Sequence, residues 1–128
     1  MAKDKKKILV VEDDPMISSM YKTKFEVDGF EVFTADNGAT GLELVKKEKP
    51  DIVMLDIILP QLDGFSVLEQ IKQDKITKNI PVIMLTNLST DEDKAKGEKM
   101  GALDYLVKAS LTPGQISEKI KQILKIKL

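Results

Sequence analysis

The sequence predicts one α/β domain, with five parallel strands alternating with five helices around a sheet covered on both faces. Three observations carry this. The apolar runs at residues 8–11, 52–55 and 82–85 are short, rich in β-branched residues and do not alternate, as expected of strands buried on both faces. Between them lie stretches with helical spacing, each bounded by capping and stop residues. The 128 residues, 42% hydrophobic and 32% charged, suit one domain with one core.

The elements follow in order. Residues 1–6 read as a flexible lysine-rich tail, and residues 7–128 as the domain. The first strand, Ile8-Leu9-Val10-Val11, runs into Glu12-Asp13-Asp14-Pro15. Asp14 suits the N-cap of the first helix and Pro15 its first position. That helix ends near Gly29, with Met16, Ile17, Met20, Phe25 and Val27 as its expected inner positions. The second strand spans residues 30–35. Asn37 caps a helix over residues 38–49, with Leu42 and Val45 inward and Pro50 as its stop. The third strand lies in Asp51-Ile52-Val53-Met54-Leu55-Asp56, and Pro60 and Asp63-Gly64 mark the turn that follows. The third helix covers residues 65–73, with Phe65, Leu68 and Ile71 on one face. Pro81 opens the fourth strand. Ser89 and Glu92 form a capping box for a helix running to Met100, which Gly101 stops. Residues 103–107 make the fifth strand. Thr112, Pro113 and Gln115 cap the last helix, with Ile116, Ile120, Ile123 and Leu124 inward. Parallel strands need right-handed crossovers, so the pattern suits a flavodoxin-like doubly wound (βα)5 domain with strand order 2-1-3-4-5.

Composition narrows the chemistry. The net charge of -1 gives no general pull toward nucleic acid or membrane, and no apolar segment approaches the ~20 residues that span a bilayer. Residues 8–11 are too short for a secretory signal, so a cytoplasmic protein is expected. With no cysteine and no histidine, the chain has no disulfide, no thiolate metal site and no imidazole base. Any metal is therefore a hard, oxygen-bound one such as magnesium, calcium or manganese.

The strand ends deliver polar groups to one rim: Glu12 and Asp13 after the first strand, Asp56 after the third, Thr86 after the fourth and Lys108 after the fifth. Ligands of open parallel sheets bind there. Two like charges ~4 Å apart cost roughly 4 kcal/mol at an effective dielectric of 20. Three carboxylates and one lysine thus call for a divalent cation.

Taken together, these segments, with Tyr105-Leu106-Val107-Lys108 closing the fifth strand, resemble the receiver domain of bacterial two-component response regulators, over about residues 7–127. The resemblance implies roles for particular residues. Asp56 is then the acceptor of a phosphoryl group from a histidine kinase or histidine phosphotransfer protein. Asp13, Asp56 and the backbone carbonyl of Ile58 hold magnesium, with Glu12 acting through a metal-bound water and manganese as a substitute. Thr86 and Lys108 bind phosphoryl oxygens. Thr86 and Tyr105 form a switch that changes the face built by helix 4, strand 5 and helix 5. The implied protein is a signalling module, not an enzyme on external substrates, that assists only its own phosphorylation and slow dephosphorylation. Its output is an unidentified protein target, with no direct nucleic-acid contact, as a monomer or a weak dimer through that face. Helix 1 is the implied docking face for the phosphodonor. The Met1 start and closing helix favour a stand-alone receiver over a piece of a larger regulator.

The chain departs from the usual receiver pattern at three places. Ala109 follows Lys108 where a proline with a cis peptide is usual, so the bond is either trans or strained. Asn87 follows Thr86 where a small residue is usual, and it either narrows access to the phosphoryl group or adds a hydrogen bond. Ile58 and Leu88, each two residues past a site residue, are apolar, which implies a long-lived aspartyl phosphate. Other readings are a pseudo-receiver that only binds partners, an Asp-nucleophile phosphohydrolase and a flavin or nucleotide binder. Phosphohydrolases usually carry a second aspartate where Ile58 stands. A phosphate-binding loop would not carry Glu12-Asp13-Asp14.

Overall fold

A computed structural model of the protein describes residues 5–88 and 90–125. Strands and helices alternate as β1 (Lys7–Val11), α1 (Pro15–Val27), β2 (Glu31–Ala35), α2 (Gly38–Glu48), β3 (Ile52–Leu55), α3 (Gly64–Gln73), β4 (Val82–Thr86), α4 (Asp91–Lys99), β5 (Asp104–Val107) and α5 (Pro113–Leu124), with a 3-10 turn at Lys108–Ser110 before α5. All strand pairs are parallel and the sheet order is β2-β1-β3-β4-β5, the order expected from the sequence.

The absence of alternation in the strands has a simple cause. Successive side chains point to opposite faces of a sheet, and here both faces are roofed. Leu9, Val11, Val53, Leu55, Val82 and Met84 pack with Val45, Leu68 and Ile71 on the α2–α3 side. Ile8, Val10, Ile52, Met54, Ile83 and Leu85 pack with Tyr21, Phe25, Ile116 and Ile120 on the α1–α5 side. Each such side chain, fully buried, contributes about 1.5–3 kcal/mol.

Side-chain caps set the helix starts. Asp14 Oδ1 accepts from the N–H groups of Met16 (2.9 Å) and Ile17 (3.2 Å), and Asn37 Oδ1 from that of Thr40 (2.8 Å). Thr112 and Gln115 form the expected reciprocal box, at 3.1 and 2.9 Å. The expected Ser89 cap falls outside the described residues. The cap of α4 is Thr90, whose Oγ1 accepts from Asp93 N–H at 3.1 Å.

Three expectations are corrected. Met16, Met20 and Val27 of α1 are exposed at 81%, 46% and 76%, and the buried positions are Ser18, Tyr21 and Phe25. Helix α1 carries two apolar stripes, and the stacked Tyr21–Phe25 pair, with Phe30 edge-on to Phe25, claims the inner one. Phe30 precedes β2 instead of opening it, because its N–H closes the end of α1 on Phe25 O at 3.0 Å. Leu103 precedes β5 and is 56% exposed, although its N–H reaches Val82 O at 2.8 Å.

Helices α1 and α5 are joined by a polar tie. Ser117, fully buried on α5, donates its hydroxyl to Asp28 Oδ2 at 2.5 Å at the end of α1. Lys24 and Lys121 lie 3.3 and 3.8 Å from the same carboxylate. The Ser117 hydrogen bond first, and the lysines after it, hold the Asp28 carboxyl below its usual range despite some desolvation. A depressed carboxyl stabilises the fold above its unfolded pKa, and this contribution is lost as pH falls through the folded value. Ser117→Ala is therefore expected to lower urea-derived stability by about 1–3 kcal/mol near neutral pH. The difference from wild type should shrink below about pH 4.

Candidate functional site

The site begins where the sheet ladder outlasts the strands. Glu12 N–H donates to Ala35 O at 2.9 Å and Asp56 N–H to Val11 O at 3.1 Å, so both residues are held by backbone bonds just beyond β1 and β3. Because β1 and β3 are neighbours, their side chains converge. Glu12 is 3% and Asp56 7% exposed. Lys108, leaving β5, reaches across both: its Nζ donates to Asp56 Oδ2 at 2.6 Å and to Glu12 Oε1. The remaining oxygens are also held. Glu12 Oε2 accepts from Asp14 N–H at 3.0 Å, and Asp56 Oδ1 from the N–H groups of Ile57 (2.7 Å) and Ile58 (3.4 Å).

Burial pushes the Glu12 carboxyl above its usual range, outweighing the Lys108 and Asp14 hydrogen bonds. For Lys108 burial works downward, but the bonds to Asp56 and Glu12 outweigh it, so the ammonium is held above its usual range. Asp13 stands exposed at the edge, and one oxygen each from Glu12, Asp13 and Asp56 lie within 4.8 Å of one another. Three carboxylates against one ammonium leave two negative charges uncompensated. That all-oxygen, net-negative set fits a divalent magnesium or manganese ion. Ile58, two residues past Asp56, has its side chain 63% exposed.

Thr86 is 1% exposed at the end of β4, paired in register with Val107. Its Oγ1 accepts from Leu88 N–H at 3.3 Å. Tyr105, half-buried on β5, donates its hydroxyl to Leu88 O at 2.5 Å. Burial first, and then the negative charges of Asp93 and Asp56, push that phenol up. Its ring lies against Gly97, where a Cβ would come within 3.3 Å of Tyr105 Cδ2. Asn87 Oδ1 accepts from Ala109 N–H at 3.1 Å, and the Lys108–Ala109 peptide is trans.

The structure thus gathers Glu12, Asp13, Asp56 and Lys108 into one cluster and places Thr86 at the end of the adjoining β4, with Tyr105 on β5 reaching the loop that follows it. Two features were not read from the sequence as parts of the site. One is the Asn87–Ala109 bond, which joins residues 22 apart in the chain. The other is Gly64, read only as a turn residue. A Cβ at Gly64 would sit 2.1 Å from Asp56 O and 2.7 Å from Ile57 Cα, so α3 starts directly against the backbone that carries Asp56. Gly64 N–H also donates to Ile57 O at 2.9 Å.

A doubly wound five-stranded sheet with an acidic cluster and a lysine at its carboxyl rim defines a receiver-type signalling domain. The model of the response regulator receiver domain matches residues 8–121, and the chain belongs to that family. It is 38% identical over 120 residues to the alkaline phosphatase synthesis transcriptional regulatory protein PhoP of Bacillus subtilis, covering 94% of this chain and 49% of that one. The chain therefore spans about half the length of the curated relatives it matches. Among solved structures, the CheY-like response regulator receiver domain protein of Methanospirillum hungatei superposes with a TM-score of 0.88 at 30% identity, covering 95% of each chain. The receiver domain of the Francisella response regulator 1452 gives 0.86 at 34%, covering 94% of this chain and 97% of that one. Among the described residues no helix is long and apolar enough to cross a membrane.

The packing of Gly64 on Asp56 has a measurable consequence. Gly64→Ala forces the β3–α3 connection apart and is expected to cost about 1–3 kcal/mol in urea unfolding. It should also shift the backbone resonances of Asp56 and Ile57.

Proposed function

We propose that the chain is a phosphorylation-activated switch of a two-component system, in which Asp56 takes a phosphoryl group from a histidine kinase or a histidine phosphotransfer protein in the cytoplasm. The observation that carries this reading is the pairing of buried Asp56 with Lys108 beside two further carboxylates. Phosphoryl transfer is mostly positioning and charge stabilisation. The backbone N–H groups of Ile57 and Ile58 hold Asp56 Oδ1, and Lys108 holds Oδ2. A carboxylate oxygen of Asp56 attacks phosphorus. The bond from phosphorus to the donor's imidazole nitrogen breaks, and its electron pair leaves with that nitrogen.

Glu12, Asp13, Asp56 and the carbonyl of Ile58 are the residues that would hold magnesium or manganese. When bound, the ion supplies positive charge beside the acceptor. Lys108 turns from the Asp56 carboxylate to the new phosphoryl oxygens, as a charge-assisted pair. The Thr86 hydroxyl donates to another of those oxygens. That movement gives up its bond from Leu88 N–H and so disturbs the carbonyl that Tyr105 holds. Helix α4, charged almost throughout and with Gly97 alone buried, has little apolar packing to lose when the α4–β5–α5 face rearranges. The output is then a change in that face, read by a protein target or by a second copy.

The exposed Met16, Met20 and Val27 give α1 an apolar stripe that borders the rim at Pro15. Soluble domains rarely leave such a stripe without a use. We assign it to docking of the phosphodonor.

The direct test is intact mass after incubation with acetyl phosphate. One phosphoryl group is expected in wild type with magnesium, and none without magnesium or in Asp56→Asn. No gain under conditions that label another receiver would contradict the reading and favour a partner-binding pseudo-receiver. The aspartyl phosphate is expected to be long-lived, because Ile58 and Leu88 offer no polar group to seat a hydrolytic water. Ile58→Asn and Leu88→Glu should each speed its decay. Fast wild-type decay, unchanged by both, would sink this part of the account.

A further inference from the structure

We propose that Asn87 is a positioning residue for Lys108, acting through the backbone of Ala109. Lys108 opens the 3-10 turn Lys108–Ser110, in which Leu111 N–H returns to Lys108 O at 3.4 Å and the preceding residue, Val107, supplies no side-chain cap. The first N–H groups of such a turn have no partner within it. Ala109 N–H is one of these, and it donates to Asn87 Oδ1 at 3.1 Å.

The two strands leave the sheet side by side, with Thr86 opposite Val107. Asn87 directly follows Thr86, and Ala109 directly follows Lys108. The bond between them therefore fixes the separation of the two loops one residue beyond the two site side chains. Lys108 is long and flexible, and its Nζ serves Asp56 and Glu12 at once. Where its stem begins decides whether both are reached. Asn suits the task, with a carbonyl oxygen on a short stem that is neutral beside a site with surplus negative charge. An alanine at 87 offers no acceptor, and a proline at 109 offers no donor. The residue at 87 and the residue at 109 thus act as one unit.

This inference rests on Asp56 being the phosphoryl acceptor, and the test separates the two claims. Amide hydrogen exchange at Ala109, followed by NMR with neither metal nor phosphodonor, reads the bond itself. Exchange is expected to be about tenfold faster in Asn87→Ala and near wild type in Asn87→Asp, which keeps the oxygen. Initial labelling by acetyl phosphate with magnesium reads the consequence. Asn87→Ala is expected to slow it about three- to tenfold while still reaching full stoichiometry at Asp56. In an Ala109→Pro background, Asn87→Ala should add nothing further. Unchanged Ala109 exchange in Asn87→Ala overturns the proposal, whether or not the proline variant folds. Labelling that is unchanged or faster also overturns it, and faster labelling shows instead that Asn87 obstructs the acceptor. Absence of labelling in wild type, with the exchange difference intact, overturns the acceptor reading of Asp56 and leaves the backbone tie standing.

Discussion

The structure depends on one charge arrangement: Lys108 bridging the carboxylates of Glu12 and Asp56 at the carboxyl rim of the sheet. Two carboxylates this buried are tolerated only with partners, because removing one charge from water without compensation costs several kcal/mol. The topology supplies the partner. The order β2-β1-β3-β4-β5 makes β1 and β3 neighbours, so acids at their ends converge. The lysine arrives from β5, two strands from β3, and its long side chain covers the distance. The surplus of negative charge that remains suits the rim to a divalent cation.

Around that centre the packing is graded. The inner strands β3 and β4 are buried along their whole length, and α3 sits so close to β3 that only glycine fits at position 64. The Asp56 side of the rim is accordingly tightly packed. The opposite side is built differently. Helix α4 has acids in its first turn and lysines in its last, which suits the helix dipole but buries little. It is held by a Tyr105 ring against Gly97 and a Lys96 ammonium 4.4 Å from the centre of the Phe65 ring. On the proposed reading, with Asp56 as acceptor, a closely packed acceptor beside a sparsely packed helix is the division of labour that a switch needs.

Much of this was legible in the sequence, because local rules and global order agree there. Unbroken apolar runs gave the doubly roofed strands, and Asp14, Asn37 and Thr112 announced helix starts by the chemistry of their side chains. The site residues could be placed because a parallel sheet sends every strand end to one rim. What sequence could not reach depended on contacts between distant segments. Two apolar stripes on α1 are equivalent until Phe30 and α5 select one, so Met16, Met20 and Val27 were assigned inward and lie outside. Asn87 and Ala109 stood as separate departures from the receiver pattern, and only their meeting across β4 and β5 shows that one answers the other. Tyr21, stacked on Phe25 beneath the rim, gave no signal beyond its aromaticity.

The measurement that tests the account most directly is the position of the phosphoryl group in the chain. An acyl phosphate is reduced by borohydride to an alcohol, so a phosphorylated aspartate becomes homoserine and can be located by tandem mass spectrometry. The account predicts homoserine at position 56 alone, because Asp56 is the aspartate of the cluster that is buried, paired to Lys108 and held by the N–H groups of Ile57 and Ile58, whereas Asp13 is exposed. Homoserine at position 13, or the corresponding alcohol of glutamate, 5-hydroxynorvaline, at position 12, would contradict it and would mean that the Lys108 pairing with Asp56 does not select the acceptor.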